Sequence, residues 1–148
     1  MSLDIDVAVQ AVRTPVAASR IASIARTALR AERVNDALLS ITLVNRASIA
    51  RLNRRHLGHA GATDVLSFGF NRLTPADPVI GDIYIAPEVA REHARARGER
   101  VREEIARLVV HGVLHVLGYE HPTGDGRENS EMWRRQEQVL RRLSRVRR

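Results

Sequence analysis

The chain has 148 residues, of which 44% are hydrophobic, and it contains no cysteine. This length suits one domain with an ordinary core, and the missing cysteines exclude a disulfide framework and a thiolate metal site. The formal net charge is +7 and all 24 basic residues are arginine, which favours an anionic partner such as nucleic acid.

Targeting and membrane segments are not expected. The first residues, MSLDID, lack the basic start and the long apolar stretch of a secretory signal. No apolar run approaches the length of a transmembrane helix. We therefore expect a cytoplasmic protein that does not bind membranes.

The first half of the chain alternates predicted strands and helices. Residues 3–12 alternate in polarity and predict a strand. Thr14 is expected to cap a helix over residues 16–32, with Pro15 at its first position. A second strand over residues 38–44 leads to Asn45, which is expected to cap a short helix over residues 46–56.

The second half predicts two strands followed by three helices. The strands cover residues 64–70 and 80–86, and the helices cover residues 87–97, 102–117 and 131–145. Pro87 is expected to open the first of these helices and Gly98 to end it, and Trp133 is expected to anchor the last one in the core. The order predicts a single α+β domain over residues 1–148, with a small mixed four-stranded sheet packed with about five helices.

Three of the six histidines fall within residues 111–121, in the stretch HGVLHVLGYEH. His111 and His115 are four residues apart and would lie on one face of a helix. Gly118 can end that helix in a left-handed conformation and let the chain turn His121 back towards the pair. Two imidazoles in so apolar a helix need a partner. Three converging imidazoles with one open position are typical of a catalytic zinc site.

The histidine spacing is that of the metzincin peptidases, with one change. Those enzymes carry glutamate after the first histidine, where it acts as the general base. This chain has Gly112 there, which cannot accept a proton. The metal therefore stays in the prediction, whereas peptide hydrolysis by the usual route is disfavoured.

Several stretches, taken together, resemble the bacterial YbeY family of endoribonucleases. In chain order they are Leu52-Asn53, TDVLSF at residues 63–68, Gly81-Asp82-Ile83, the histidine stretch, and Met132-Trp133. The resemblance implies a single α+β domain that binds one zinc through His111, His115 and His121. It also implies single-strand endoribonuclease activity, with roles in 16S rRNA 3′-end maturation and ribosome quality control.

Leu57 departs from the family pattern. The family usually has an arginine at this position, thought to engage RNA, and a proline where this chain has Ala62. Arg54 and Arg55 lie just before Leu57 and are our candidates to take over the phosphate contact. With zinc-bound water as the nucleophile or base, either arginine would stabilise the charge on the phosphorane. Asp82 and Glu120 are weaker candidates to orient a histidine from behind.

Three functions remain open from the sequence. The first is a zinc-dependent endoribonuclease acting on rRNA, with a ribosomal protein or another ribonuclease as its partner. The second is a metallopeptidase, which Gly112 disfavours. The third is a non-catalytic, zinc-stabilised factor that binds RNA or the ribosome, and Leu57 keeps this hypothesis open.

Overall fold

The computed structural model describes residues 1–120 and 130–146. The strands and helices alternate along the first half, and a β-hairpin and three helices complete the described chain. In order they are β1 (Leu3–Val9), α1 (Ala18–Ala31), β2 (Ala37–Leu43), α2 (Arg46–Leu57), β3 (Val65–Phe70), β4 (Val79–Ile85), α3 (Pro87–Arg97), α4 (Val101–Val116) and α5 (Glu131–Val146).

The four strands form one mixed sheet in the order β1-β2-β4-β3. β2 pairs in parallel with both β1 and β4, whereas β3 pairs antiparallel with β4 and forms an edge of the sheet. The three parallel strands all end at the same edge, where α2 and α3 begin. The predicted α+β domain with a mixed four-stranded sheet and five helices is confirmed for the described residues.

Helix α4 is the centre of the packing. It contacts β3, β4 and three helices, α1, α3 and α5. Because of these contacts its apolar residues are buried, and Ile105, Val109 and Val113 have 0% exposure. The helix lies close to the sheet because Gly112 faces Ile83, where an added Cβ would come within 3.0 Å of the isoleucine side chain.

Helix α2 covers part of the opposite face of the sheet. It packs through Ile49 against Leu66 of β3 and Val89 of α3, with Phe68 and Tyr84 at the margin. This second, smaller cluster fixes the C-terminal end of α2 beside the start of β3. None of the helices in residues 1–120 and 130–146 combines the length and apolar character needed to cross a bilayer.

Several predicted helix ends are confirmed. Asn45 caps α2, since its side-chain oxygen accepts a hydrogen bond from the backbone N–H of Ser48 at 2.9 Å. Pro87 is at the start of α3, and Gly98 ends that helix with a left-handed conformation. Gly118, directly after α4, also has a positive φ of 101°.

The predicted cap of α1 is wrong. The helix begins at Ala18, and neither Thr14 nor Pro15 belongs to it. The Thr14 hydroxyl instead accepts a hydrogen bond from the N–H of Val16 and donates one to its carbonyl oxygen. This local turn buries Val16 and delays the helix, which starts without a side-chain cap.

Trp133 is not the core anchor that the sequence predicted. Its side chain is 37% exposed, whereas the neighbouring Met132 is 2% exposed. The buried stripe of α5 runs through Met132, Gln136, Val139 and Leu143, which recur at helical spacing. Trp133 lies about 100° around the helix from Met132 and so falls beside this stripe.

Candidate metal centre and cleft

The C-terminal half of α4 presents two histidines side by side. The Nε2 atoms of His111 and His115 lie 3.1 Å apart, and the two rings are nearly perpendicular. Both side chains are partly buried. The spacing of four residues on a regular helix produces this convergence, as predicted.

Each ring is held through its other nitrogen. Nδ1 of His115 lies 2.9 Å from the backbone carbonyl oxygen of Tyr119, and Nδ1 of His111 lies 2.9 Å from the side-chain oxygen of Gln136. A carbonyl oxygen only accepts, so both Nδ1 atoms carry the proton. In this tautomer both Nε2 atoms are acceptors. Two acceptors at this distance fit a shared cation between them.

The backbone at Tyr119 is held in place by a hydrogen bond of the Tyr119 side chain. The Tyr119 hydroxyl donates a hydrogen bond to Oε1 of Glu32, at the end of α1, at 2.6 Å. Glu32 also pairs with Arg135 of α5. The hydrogen bond to Glu32 raises the pKa of Tyr119 above its ordinary value. Three helices therefore hold the turn that orients His115.

The histidine pair opens into a cleft of about 420 Å³. One wall is the edge strand β3 with the residues before it, and the other is the end of α4 with the turn that follows. The lining residues are Leu57, Thr63, Asp64, Val65, Leu66, Ser67, His111, His115, Gly118, Tyr119 and Glu120. Part of the TDVLSF stretch thus faces the histidine stretch across the cleft.

Two of the other predicted residues lie at this cleft. Leu57, the last residue of α2, lines it and is 48% exposed. Glu120 lines it as an exposed residue after Gly118, but the acceptors at the histidine Nδ1 atoms are Gln136 and the Tyr119 carbonyl. Arg54 and Arg55 are exposed in the last turn of α2 and are not among the residues that line the cleft.

Asp82 is not brought to the histidines. Its neighbours Gly81 and Ile83 face Val116 and Gly112 of α4. Because successive side chains of a strand alternate between the two faces, Asp82 points to the face away from α4. His121, the third predicted ligand, lies outside the described residues.

A second group of side chains could hold a metal ion. Ligand atoms of Asp64, His93 and Glu104 lie within 4.8 Å of one another. However, Oε2 of Glu104 accepts from Arg97 and Oε1 accepts from Arg107 at 2.7 Å. Two guanidinium groups at this buried carboxylate oppose a cation. The pair His111 and His115, whose Nε2 atoms lie 3.1 Å apart, fits a metal better.

Gln136 was missed by the sequence reasoning. It is 3% exposed on the buried stripe of α5, where the other positions are apolar. A polar residue in an apolar stripe needs a hydrogen-bond partner, and this was the signal available in the sequence. The partner itself, His111, lies 25 residues away and could not be identified from spacing.

Comparisons with known proteins identify the family of the chain. A family model described as "Endoribonuclease YbeY" matches residues 6–144. A relative with that name from Thermobifida fusca is 38% identical over 146 residues, which cover 93% of this chain and 92% of the relative. Another, from Frankia casuarinae, is 39% identical over 132 residues, with 82% and 65% covered.

A solved structure supports the fold. The solution structure of TM1509 from Thermotoga maritima matches with a TM-score of 0.62 and 24% identity, covering 94% of this chain and 88% of that one. The family match spans nearly the whole chain, and these two relatives are 38% and 39% identical to it over the aligned residues. The chain belongs to the YbeY family of endoribonucleases.

Proposed function

We propose that this chain is a zinc-dependent endoribonuclease that cleaves single-stranded RNA, acting in 16S rRNA 3′-end maturation and in ribosome quality control. Family membership supports RNA as the substrate. Work on a ribosomal precursor would place the protein in the cytoplasm, with a ribosomal protein or another ribonuclease as its partner. The net charge of +7 suits a polyanionic substrate.

The observation that carries the zinc proposal is the histidine pair. Nε2 atoms 3.1 Å apart are close to the roughly 3.3 Å that separates two nitrogens in a tetrahedral site with Zn–N bonds of about 2.0–2.1 Å. Both Nδ1 atoms are anchored to oxygen acceptors, the usual arrangement behind a metal-binding histidine. We propose His121 as the third ligand, on the strength of its place after the Gly118 turn.

Held by these three imidazoles, zinc would supply a Lewis acid and would lower the pKa of a water at the site to about 7. The protein's own contribution is to hold the imidazoles rigidly and to orient RNA in the cleft. We propose Arg54 and Arg55 as the groups that neutralise phosphate charge as the scissile bond breaks. We propose that Glu120, exposed at the cleft, orients a ligand histidine other than His111 and His115, whose Nδ1 atoms have other acceptors.

The packing of Gly112 weakens the peptidase alternative. In the metzincin pattern this position would carry the general base, but here it is buried against Ile83 of β4. A glutamate at residue 112 would point into the sheet rather than towards the cleft. This chain therefore lacks the general base, and a side chain at residue 112 would not reach the cleft.

One observation favours a second candidate, a non-catalytic RNA- or ribosome-binding factor. Leu57 lines the cleft where the family resemblance leads us to expect an arginine. If Arg54 and Arg55 do not replace it, RNA binds without efficient cleavage. The Leu57→Arg variant separates the two functions, since a gain of about tenfold or more in cleavage rate would mean that the wild-type cleft lacks an essential cation.

The test of the proposed function uses the 3′ segment of a 16S rRNA precursor, offered as a single strand and as a duplex with its complement. We expect zinc-loaded wild-type protein to cut the single strand and spare the duplex. His111→Ala should cut neither form. Equal cleavage by wild type and His111→Ala would contradict the proposal. RNA binding without cleavage by the wild type would favour the binding factor.

A further inference from the structure

A second cavity lies at the edge of the sheet where the parallel strands end. Its volume is about 750 Å³, larger than that of the histidine cleft. It is lined by residues that follow β1, by the first residue of α2 and by one side of α3 from its start to Arg95. They are Ala11, Val12, Arg13, Arg46, Pro87, Glu88, Arg91, Glu92 and Arg95. The carboxyl ends of parallel strands are a common place for ligands in open α/β sheets.

The acidic groups of this cavity are already engaged. Glu92 pairs with the Arg46 guanidinium, and Glu88 accepts a hydrogen bond from the Arg46 backbone N–H at 2.8 Å. The negative charge of Glu88 is thus offset by the N-terminus of α2, which carries a partial positive charge. The remaining cations of the cavity are left without a compensating acid.

Those cations are Arg13, Arg91 and Arg95. No hydrogen bond or ion pair in the described part of the chain engages any of the three side chains. Arg91 and Arg95 are four residues apart, so they stand on one face of α3 and repel each other. A bound anion would remove this repulsion, and guanidinium forks match phosphate oxygens in particular.

The arginine cavity and the histidine cleft are near each other at one loop of the chain. An adjoining hollow shares Ala11, Arg46 and Glu88 with the arginine cavity, and it is also lined by Ala62. The next two residues of the chain, Thr63 and Asp64, line the histidine cleft. Neighbouring Cα atoms are about 3.8 Å apart, so one short loop separates the two sites.

We propose that Arg13, Arg91 and Arg95 bind backbone phosphates of the RNA strand outside the cleft, away from the phosphodiester bond that is cut at the histidines. This proposal rests on the proposed function, since it assigns a second contact for the same substrate. An extended strand reaches both sites, whereas a short fragment occupies one. The cavity thereby makes the enzyme favour long single-stranded regions over short ones.

The test compares uridine oligonucleotides of about 4 and about 16 nucleotides, which bracket the footprint of typical single-strand binding sites. Binding is measured by fluorescence anisotropy at several salt concentrations. The variant is R13Q/R91Q/R95Q. The matched control, R30Q/R72Q/R142Q, changes the net charge equally at exposed arginines outside the lining of both cavities.

For the long RNA, the dissociation constant of R13Q/R91Q/R95Q should rise about tenfold or more, and the salt slope should fall by about 2, because each phosphate contact on a single strand contributes about 0.7. The control should change much less. Equal behaviour of the two triple variants would overturn the inference. So would binding of inorganic phosphate or UMP that depends on the three arginines while RNA length has no effect.

Cleavage of the long RNA by zinc-loaded wild type, measured in the same preparation, keeps the two proposals apart. Length-dependent binding that needs the three arginines, without cleavage, would support this inference and count against the proposed function. Cleavage of RNA whose binding does not depend on these arginines would support the proposed function and count against this inference.

Discussion

At the scale of residues, each histidine of the cleft is held through the nitrogen that faces away from the other histidine. His115 is tied to the turn that follows its own helix, whereas His111 is tied to Gln136 on α5. A neighbouring acceptor fixes the tautomer and the direction of a metal-binding imidazole. Gln136 is thus predicted to matter for metal affinity although it does not contact the metal in our account.

Replacing Gln136 by leucine tests this role. The change keeps a side chain of similar size but removes the acceptor for Nδ1 of His111. We expect zinc affinity to fall about 10- to 100-fold, as is typical when such a partner is lost. Competition with a chromogenic chelator measures it. Gln138→Leu, at an exposed position of the same helix, is the control. Identical affinities in both variants would remove Gln136 from the account.

The sequence predicted the histidines of this site but not their anchors. The convergence of His111 and His115 follows from local helix geometry, so spacing was enough to find it. The anchors depend on how α5 and the turn at Tyr119 pack against α4, which no local pattern encodes. For the same reason Asp82 looked suitable in the sequence, and only the strand alternation relative to α4 places it on the other face.

At the scale of elements, α4 lies close to the sheet because glycines line the contact between them. A Cβ on Gly112 would approach Ile83, one on Gly81 would meet the Val116 side chain, and one on Gly69 would come within 2.7 Å of the Val116 carbonyl oxygen. The last contact is with backbone, which cannot rotate away. Gly69 of β3 thus sets the distance between the two walls that form the cleft.

Gly69→Ala should therefore push β3 away from the end of α4. We expect the free energy of unfolding to fall by about 1–3 kcal/mol, as for other overpacked sites, and zinc affinity to weaken as His115 shifts. Chemical denaturation and the chelator assay measure the two effects. Asn71→Ala, an exposed change two residues along, should stay within about 0.5 kcal/mol of wild type. A Gly69→Ala protein as stable as this control would contradict the proposed packing.

Element types and order could be predicted from the sequence, but the strand order could not. The periodicity of each segment and signals such as Asn45, Pro87 and Gly98 are local. The insertion of β4 between β2 and β3 depends on which strands pair, and this involves residues far apart in the chain. The start of α1 was predicted too early because Thr14 forms hydrogen bonds with Val16 rather than with the first turn of the helix.

At the scale of the whole molecule, the described residues form two kinds of site. The histidine cleft lies along the edge strand, and the arginine cavity lies where the parallel strands end. An overall charge of +7 favours RNA at both, whereas the proposed chemistry needs the metal held at the histidines. The central claim is therefore that a metal at this pair is needed to cut RNA.

The most direct measurement is metal content and RNA cleavage together, on wild type and His115→Ala purified in parallel. We expect about one zinc per chain in the wild type, as in other three-histidine sites. We also expect the variant to lose both zinc and cleavage of a single-stranded rRNA fragment while keeping its fold by circular dichroism. A folded His115→Ala protein that still cuts RNA at the wild-type rate, or a wild-type protein that cuts it without any metal, would contradict the account.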